Sequence, residues 1–82
     1  MRMYALLKEH VDDVRKLMIY DYENGVYVFL YDTQEDKSGF ADLWFETFDE
    51  AVDYCIEKYK VIQDQWVVIN DPKEGQQHDI IH

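Results

Sequence analysis

The chain contains 82 residues, 48% of them hydrophobic and 16% aromatic, and its 18 acidic and 8 basic residues give a formal charge of −10 at pH 7. This length and apolar content predict one folded domain over residues 1–82 and exclude a chain that is disordered by composition. The sequence has no run of about 18 apolar residues and no secretory signal pattern, so we expect a soluble, cytoplasmic protein with no membrane contact.

Cys55 is the single cysteine of the chain. Small secreted domains usually carry several cysteines paired as disulfides, so one cysteine also favours a reducing compartment. No histidine or other base lies close to it in sequence. We therefore expect Cys55 to be a buried, unreactive side chain rather than a nucleophile.

The negative charge is concentrated in the middle of the chain. Residues 17–57 hold eleven acidic residues and one basic residue, Lys37, whereas the remaining segments hold seven of each. Proteins bind nucleic acids through Lys and Arg, so direct DNA or RNA binding is not expected. The acidic region either keeps the protein in solution or meets a basic surface on another protein.

The N-terminal segment fits two structures. One is a helix, whose apolar stripe would contain Tyr4, Leu7, Val11, Val14 and Met18. The other is a strand, in which Met3, Ala5 and Leu7 alternate with their neighbours. We favour a strand from about Met3 to Lys8.

Residues 20–32, YDYENGVYVFLYD, predict a β-hairpin. Asn24-Gly25 between two alternating aromatic runs is typical of a two-residue type I′ turn, which would pair Tyr22 with Tyr27 and Tyr20 with Phe29. One face of this hairpin would carry Met18, Tyr20, Tyr22, Tyr27, Phe29 and Tyr31. The opposite face would carry the aliphatic side chains of Leu17, Ile19, Val26, Val28 and Leu30.

A further strand and a helix follow. Residues 39–47 alternate Ala41, Leu43 and Phe45 with more polar neighbours, which predicts a strand with one inward face. The Thr47-x-x-Glu50 capping box then starts an amphipathic helix from Phe48 to Tyr59. Its predicted apolar stripe contains Phe48, Ala51, Val52, Cys55, Ile56 and Tyr59.

Residues 66–69, WVVI, predict a short buried strand, and NDPKEG turns the chain after it. Together these elements predict an α+β fold, with an antiparallel sheet of three to five strands and one amphipathic helix packed on one face. The aliphatic face of the hairpin should take the helix. The tyrosine-rich face would then be covered by the N-terminal segment, by the C-terminal segment or by another molecule.

The C-terminal segment, DPKEGQQHDIIH, holds most of the polar residues tested for a site. His78 and His82 are four residues apart, with Asp79 between them and Asp71 upstream. Helical spacing would suit a metal, but this segment has no helical pattern, and a zinc site needs three or four converging ligands. We predict no metal, no cofactor and no catalytic residues, and therefore a protein that is not an enzyme.

The most specific motif of the chain is WVVINDPKEGQQHD, a Trp-x-x-Ile-x-Asp-Pro run leading to Gly-x-Gln-His-Asp. Together with the segments YALLK, IYDY, GVYVFLYD and LWFETFDEA, it resembles a family of small, uncharacterised bacterial proteins. The matching positions are Trp66, Ile69, Asp71, Pro72, Gly75, Gln77, His78 and Asp79. The chain departs from the pattern at Gln76, where cysteine is expected, and at Ile80, where an aromatic residue is expected. The resemblance implies no known activity.

Three classes of function fit these observations. The first is a non-catalytic interaction or regulatory module that meets a protein partner, or a second copy, through an aromatic face formed by Tyr20, Tyr22, Tyr27, Phe29 and Tyr31. The second is an acidic inhibitor or immunity-type protein that mimics nucleic acid. The third is a small-ligand or metal site that uses the C-terminal motif, with Trp66, Asp71, His78 and Asp79 as its members.

Overall fold

A computed structural model describes residues 1–81, and His82 lies outside the described residues. The strands are β1 (Arg2–Val11), β2 (Val14–Tyr22), β3 (Gly25–Tyr31), β4 (Ala41–Phe45) and β5 (Val67–Ile69); the helix α1 (Phe48–Tyr59) and a 3₁₀ turn (Gln63–Gln65) lie between β4 and β5. The five strands form one sheet in the order β4-β3-β2-β1-β5, with every neighbouring pair antiparallel. The predicted α+β fold is confirmed.

The N-terminal segment is a strand, as favoured, and it is longer than predicted. It ends at a two-residue turn in which Asp12 and Asp13 have φ values of 51° and 66°, and Val11 pairs with Val14. Positive φ at both central residues is typical of a type I′ turn, and Asp tolerates this backbone better than most residues do. The type I′ geometry predicted for the next hairpin therefore occurs here instead.

The turn between β2 and β3 consists of Glu23 and Asn24, and the predicted register is wrong by two residues. Tyr22 pairs with Gly25, and Tyr20 pairs with Tyr27 rather than with Phe29. At this turn only Gly25 has a positive φ, at +145°, so the geometry is not type I′. A shift of two residues leaves both faces of the hairpin unchanged, and the predicted aromatic and aliphatic faces are confirmed.

Gly25 not only adopts a positive φ but also lies directly beneath the indole of Trp44. A β-carbon built at Gly25 would lie 2.0 Å from Trp44 Nε1. Both the positive φ and this close approach require glycine. Gly25 thus allows the Trp44 indole to lie directly against the hairpin turn.

The helix begins and ends where the sequence predicts. Thr47 Oγ1 accepts a hydrogen bond of 3.2 Å from the amide of Glu50, which is the N-terminal cap expected from the capping box. Ala51, Cys55 and Tyr59 are buried against the sheet. Ile56, predicted in the same stripe, is 46% exposed because it lies on the flank of this narrow contact.

The helix covers the aliphatic face of the sheet and forms the main core with it. Buried side chains on the sheet side of this core are Met3, Ala5, Leu7, Leu17, Ile19, Val26, Val28 and Leu30. Among residues 1–81 the structure contains no helix with both the length and the apolar character that crossing a membrane requires.

The prediction of a buried strand at residues 66–69 is wrong with respect to burial. Val67 and Val68 are 45% and 66% exposed, because β5 is an edge strand that pairs only with residues 2–4 of β1. Trp66, just before the strand, packs against the core on the helix side. The short edge leaves little unpaired backbone.

Cys55 lies in the core with no exposed surface, and burial raises the pKa of its thiol to about 12.

We expect the Cys55 thiol of the native protein at pH 8 to resist iodoacetamide, and the same thiol in the unfolded chain to react completely. Because the folded pKa is raised, the unfolded chain loses this proton first, and stability falls as the pH rises above about 9. Denaturant unfolding between pH 8 and 10.5 should therefore give a steeper loss for the wild type than for Cys55→Ala, with a difference in slope that approaches about 1.4 kcal/mol per pH unit only above about pH 10.

Rapid labelling of Cys55 in the native state, or equal pH slopes for wild type and Cys55→Ala, would contradict this placement of the side chain.

Candidate functional site

The C-terminal segment, residues 70–81, crosses the aromatic face of the sheet. The carbonyl of Asp79 accepts a 2.5 Å hydrogen bond from the Tyr31 hydroxyl, and the His78 ring packs edge-on against Tyr20 with centroids 5.2 Å apart. The amide of Ile81 donates to Asp36 Oδ1 at 2.7 Å. As a result Tyr20 and Tyr31 are only 4% and 0% exposed. Of the predicted covers for this face, the structure uses the chain's own C-terminal segment.

Arg2 is the main attachment point of this segment. Its Nε donates to the carbonyl of Asn70 at 2.8 Å, and its Nη1 donates to the carbonyls of His78 and Ile80, both at 2.9 Å. Arg2 itself is 2% exposed. The rigid guanidinium fork can hold several acceptors at once, which a lysine ammonium cannot do in the same geometry. Arg2 thereby joins both ends of the crossing segment to the first strand.

Lys16 is a second buried cation on the same face. It is 1% exposed, its Nζ donates to the carbonyl of Glu35 at 2.8 Å, and the ammonium lies 4.2 Å from the centroid of the Tyr31 ring. Burial lowers the pKa of Lys16, and the nearby carboxylates of Asp36 and Asp79 oppose this shift. Burial likewise raises the pKa of Tyr31, and Asp79 adds to that effect. The interior of this face is therefore polar and hydrogen-bonded rather than purely aromatic.

The two polar residues that close the motif have different positions. Asp79 Oδ2 accepts a 2.8 Å hydrogen bond from the amide of Gly39, so its carboxylate fixes the loop that leads into β4. The His78 side chain is exposed and lies beside Tyr22, with ring centroids 6.0 Å apart. Asp79 thus acts as a structural attachment, while the His78 ring faces outward.

The start of the segment is also held by backbone geometry. The amide of Gln76 donates to the carbonyl of Lys73 at 2.9 Å, and Gly75 has a φ of +84°. Positive φ at the third position of such a turn is typical of type II and favours glycine. Asp71 Oδ1 lies 2.8 Å from the amino group of Met1. The turn predicted around Asp71-Pro72 and Gly75 is present, with its hydrogen bond between residues 73 and 76.

Beside the C-terminal segment, the aromatic face opens into a groove of about 490 Å³. Its lining includes Tyr22, Tyr27, Phe29, Phe40, Asp42 and His78. Phe40 and Tyr22 are 54% and 45% exposed, and Trp44 on β4 is 52% exposed. The described lining residues include the carboxylates of Asp42 and Asp79 and contain no Lys or Arg. The groove is therefore aromatic and acidic.

The residues predicted as one binding site are not brought together. Trp66 lies on the helix side of the sheet and Asp71 lies beside the amino group of Met1, whereas His78 and Asp79 lie at the groove. Of the predicted partner face, Tyr20 and Tyr31 are buried beneath the C-terminal segment. Tyr22, Tyr27 and Phe29 remain accessible and line the groove.

Sequence reasoning missed Arg2, Lys16, Phe40, Asp42 and Trp44. A signal for the first two was present, since both occupy positions of their strands that alternate onto the aromatic face, where a buried charge needs partners. Phe40 could not be found in this way because it precedes β4 in a loop.

The hypothesis of a metal site rested on His78, His82, Asp71 and Asp79. Within residues 1–81, no group of three or more His, Cys, Asp or Glu side chains lies close enough to hold a metal ion. His82, which would have been a further ligand, lies outside the described residues.

Comparison of the chain with protein-family models, with curated proteins and with solved structures gives no match. The case for a function therefore depends on the geometry of the aromatic groove.

Proposed function

We propose that the protein is a non-catalytic binding module of the bacterial cytoplasm that holds a basic segment of a partner protein in the aromatic groove. The observation that carries this proposal is the exposure of Phe40 and Tyr22, which both line the groove, together with the exposure of Trp44 on the edge strand β4. Large aromatic side chains supply most of the binding energy at protein interfaces when they are buried by a partner. A single exposed aromatic side chain would need no explanation, but Phe40 and Tyr22 line one groove.

The edge strand β4 provides a place for the partner backbone. In the strand order β4 has a neighbour on one side only, β3. An edge strand leaves backbone N–H and C=O groups unpaired, and an extended peptide can add to it as a further strand. Side chains of the added strand that point to the aromatic face would then enter the groove.

The charge of this region favours a basic partner. Asp42 and Glu46 on and after β4 are exposed, and Glu23 is exposed at the neighbouring hairpin turn. With a formal charge of −10, the whole chain also attracts a cationic segment from a distance. A second copy of this acidic chain is a less suitable occupant, because its β4 edge would bring like charges together.

Photo-crosslinking in the native host tests this proposal. A benzophenone amino acid would be placed at position 40, and at position 62 as the control, because Phe40 and Ile62 are both 54% exposed but lie on different parts of the surface. We expect a discrete adduct with a basic protein from position 40 only, lost in Asp42→Lys. Identical adducts from both positions, or only adducts between copies of this chain, would contradict the proposal.

A second candidate function, an inhibitor that mimics nucleic acid, is favoured by the outer surface of α1. Asp49, Asp53 and Glu57 are exposed at intervals of four residues, so they follow each other at about 6 Å along the helix axis. The crosslinker at position 53 tests it. Adducts with nucleic-acid-binding proteins that are competed by added DNA would favour the inhibitor, and their absence would leave the groove as the binding surface.

A further inference from the structure

We propose that the groove is selective for an arginine side chain of the partner, with the guanidinium stacked on the aromatic rings and paired with Asp42. This inference rests on the proposed function and names the chemical group that the groove recognises. It is carried by three features: the arrangement of the rings, the position of one carboxylate, and the engagement elsewhere of the two cations on this face.

The rings of Tyr27 and Phe29 are parallel and stacked. Tyr27 and Phe29 follow each other on the same face of β3, and their ring planes differ by 3° with centroids 6.0 Å apart. Phe40 lines the groove from the loop before β4. A planar guanidinium stacks on aromatic faces and keeps its N–H groups free to hydrogen-bond in its own plane, whereas a lysine ammonium is a compact, strongly hydrated charge.

One carboxylate lies beside the stacked rings. Asp42 is the cross-strand neighbour of Phe29 and lies on the same face of the sheet. It is exposed, so its oxygens can turn toward a ligand in the groove. The other carboxylate of the lining, Asp79, already accepts a hydrogen bond from Gly39. Asp42 is therefore the group that would take both N–H bonds of a bidentate guanidinium.

The chain's own cations near this face are engaged. Arg2 donates to three carbonyls of the C-terminal segment, and Lys16 donates to Glu35 while its ammonium lies over Tyr31. Both side chains are at most 2% exposed. Neither lines the groove, so neither supplies a cation to its aromatic and acidic lining.

Three short peptides test the inference: acetyl-Gly-Val-Xaa-Val-Gly-amide with arginine, lysine or citrulline at the central position. Citrulline keeps the shape of arginine and removes its charge. Each would be titrated into ¹⁵N-labelled protein while the amides of Gly39, Asp42 and His78 and the indole N–H of Trp44 are followed. We expect saturable shifts at these groups, with the arginine peptide binding about tenfold tighter than the citrulline peptide and severalfold tighter than the lysine peptide.

Variants assign the effect to the groove. Asp42→Asn should weaken the arginine peptide about tenfold, and Phe40→Leu should weaken it severalfold. Asp64→Asn, at an exposed acidic residue of the 3₁₀ turn, is the matched control and should change affinity less than twofold. Thermal melting of each variant verifies that it is folded.

The outcomes separate this inference from the proposed function. Equal binding of all three peptides at the groove would overturn arginine selectivity and leave strand addition in place. Preferential arginine binding that shifts α1 rather than the groove would overturn it too. The inference would also be overturned if none of the peptides gave a saturable shift at concentrations up to ~10 mM. In that case the photo-crosslinking experiment would still decide whether the groove binds a protein.

Discussion

Arg2→Ala is expected to lower the free energy of unfolding by about 3–5 kcal/mol, a large part of the stability of a domain of this size. The substitution removes the three hydrogen bonds of a buried guanidinium and leaves the carbonyls of Asn70, His78 and Ile80 without this donor. Arg2→Lys keeps the charge but cannot reach three acceptors with the same geometry, so we expect an intermediate loss.

Urea unfolding followed by circular dichroism measures this loss, and Arg15→Ala is its matched control. Arg15 is exposed on the next strand, and its removal should change the free energy of unfolding by less than about 0.5 kcal/mol. If Arg2→Ala were as mild as Arg15→Ala, the C-terminal segment could not be held as described.

Gly25→Ala is expected to cost about 3 kcal/mol or more, because two separate penalties act at this position. The φ of +145° is one that an L-residue rarely adopts, and the added methyl would lie 2.0 Å from Trp44 Nε1. Gly75→Ala provides the control, since Gly75 also has a positive φ, of +84°, but open space where its β-carbon would be. It should cost only about 1 kcal/mol.

A double-mutant cycle separates the two penalties at Gly25. In a Trp44→Ala background the steric part disappears, so the cost of Gly25→Ala should fall toward that of Gly75→Ala. Equal costs for the two glycines in the wild-type background would show that the contact with the Trp44 indole adds nothing to the cost at Gly25.

The alternation of side chains was sufficient to predict the two faces of the sheet, and the helical period together with Thr47 and Glu50 was sufficient to predict α1. The register of the β2–β3 hairpin was not predictable in this way. Asn24-Gly25 satisfies the local rule for a type I′ turn, but the structure places Gly25 one position later in the hairpin, where the Trp44 indole needs the space. A contact between residues distant in sequence decided between two locally acceptable turns.

The candidate site was predictable only in part for the same reason. The sequence pattern placed Tyr22, Tyr27 and Phe29 on one face, and all three line the groove. The path of the C-terminal segment depends on contacts such as Arg2 with Ile80, which are 78 residues apart. Without periodicity in residues 70–81, no local pattern indicates where these residues lie, so the sequence does not show that Trp66 and His78 are on different sides of the sheet.

The groove exists because the C-terminal segment lies across the aromatic face and forms one side of it. Nuclear Overhauser contacts between the His78 ring and the rings of Tyr20 and Tyr22, measured together with amide exchange at Ile81, test it directly. We predict cross-peaks for ring pairs whose centroids lie 5.2 and 6.0 Å apart, and slowed exchange of the Ile81 amide that donates to Asp36. Random-coil shifts and free exchange throughout residues 76–81, with no contact from His78 to either tyrosine, would contradict it.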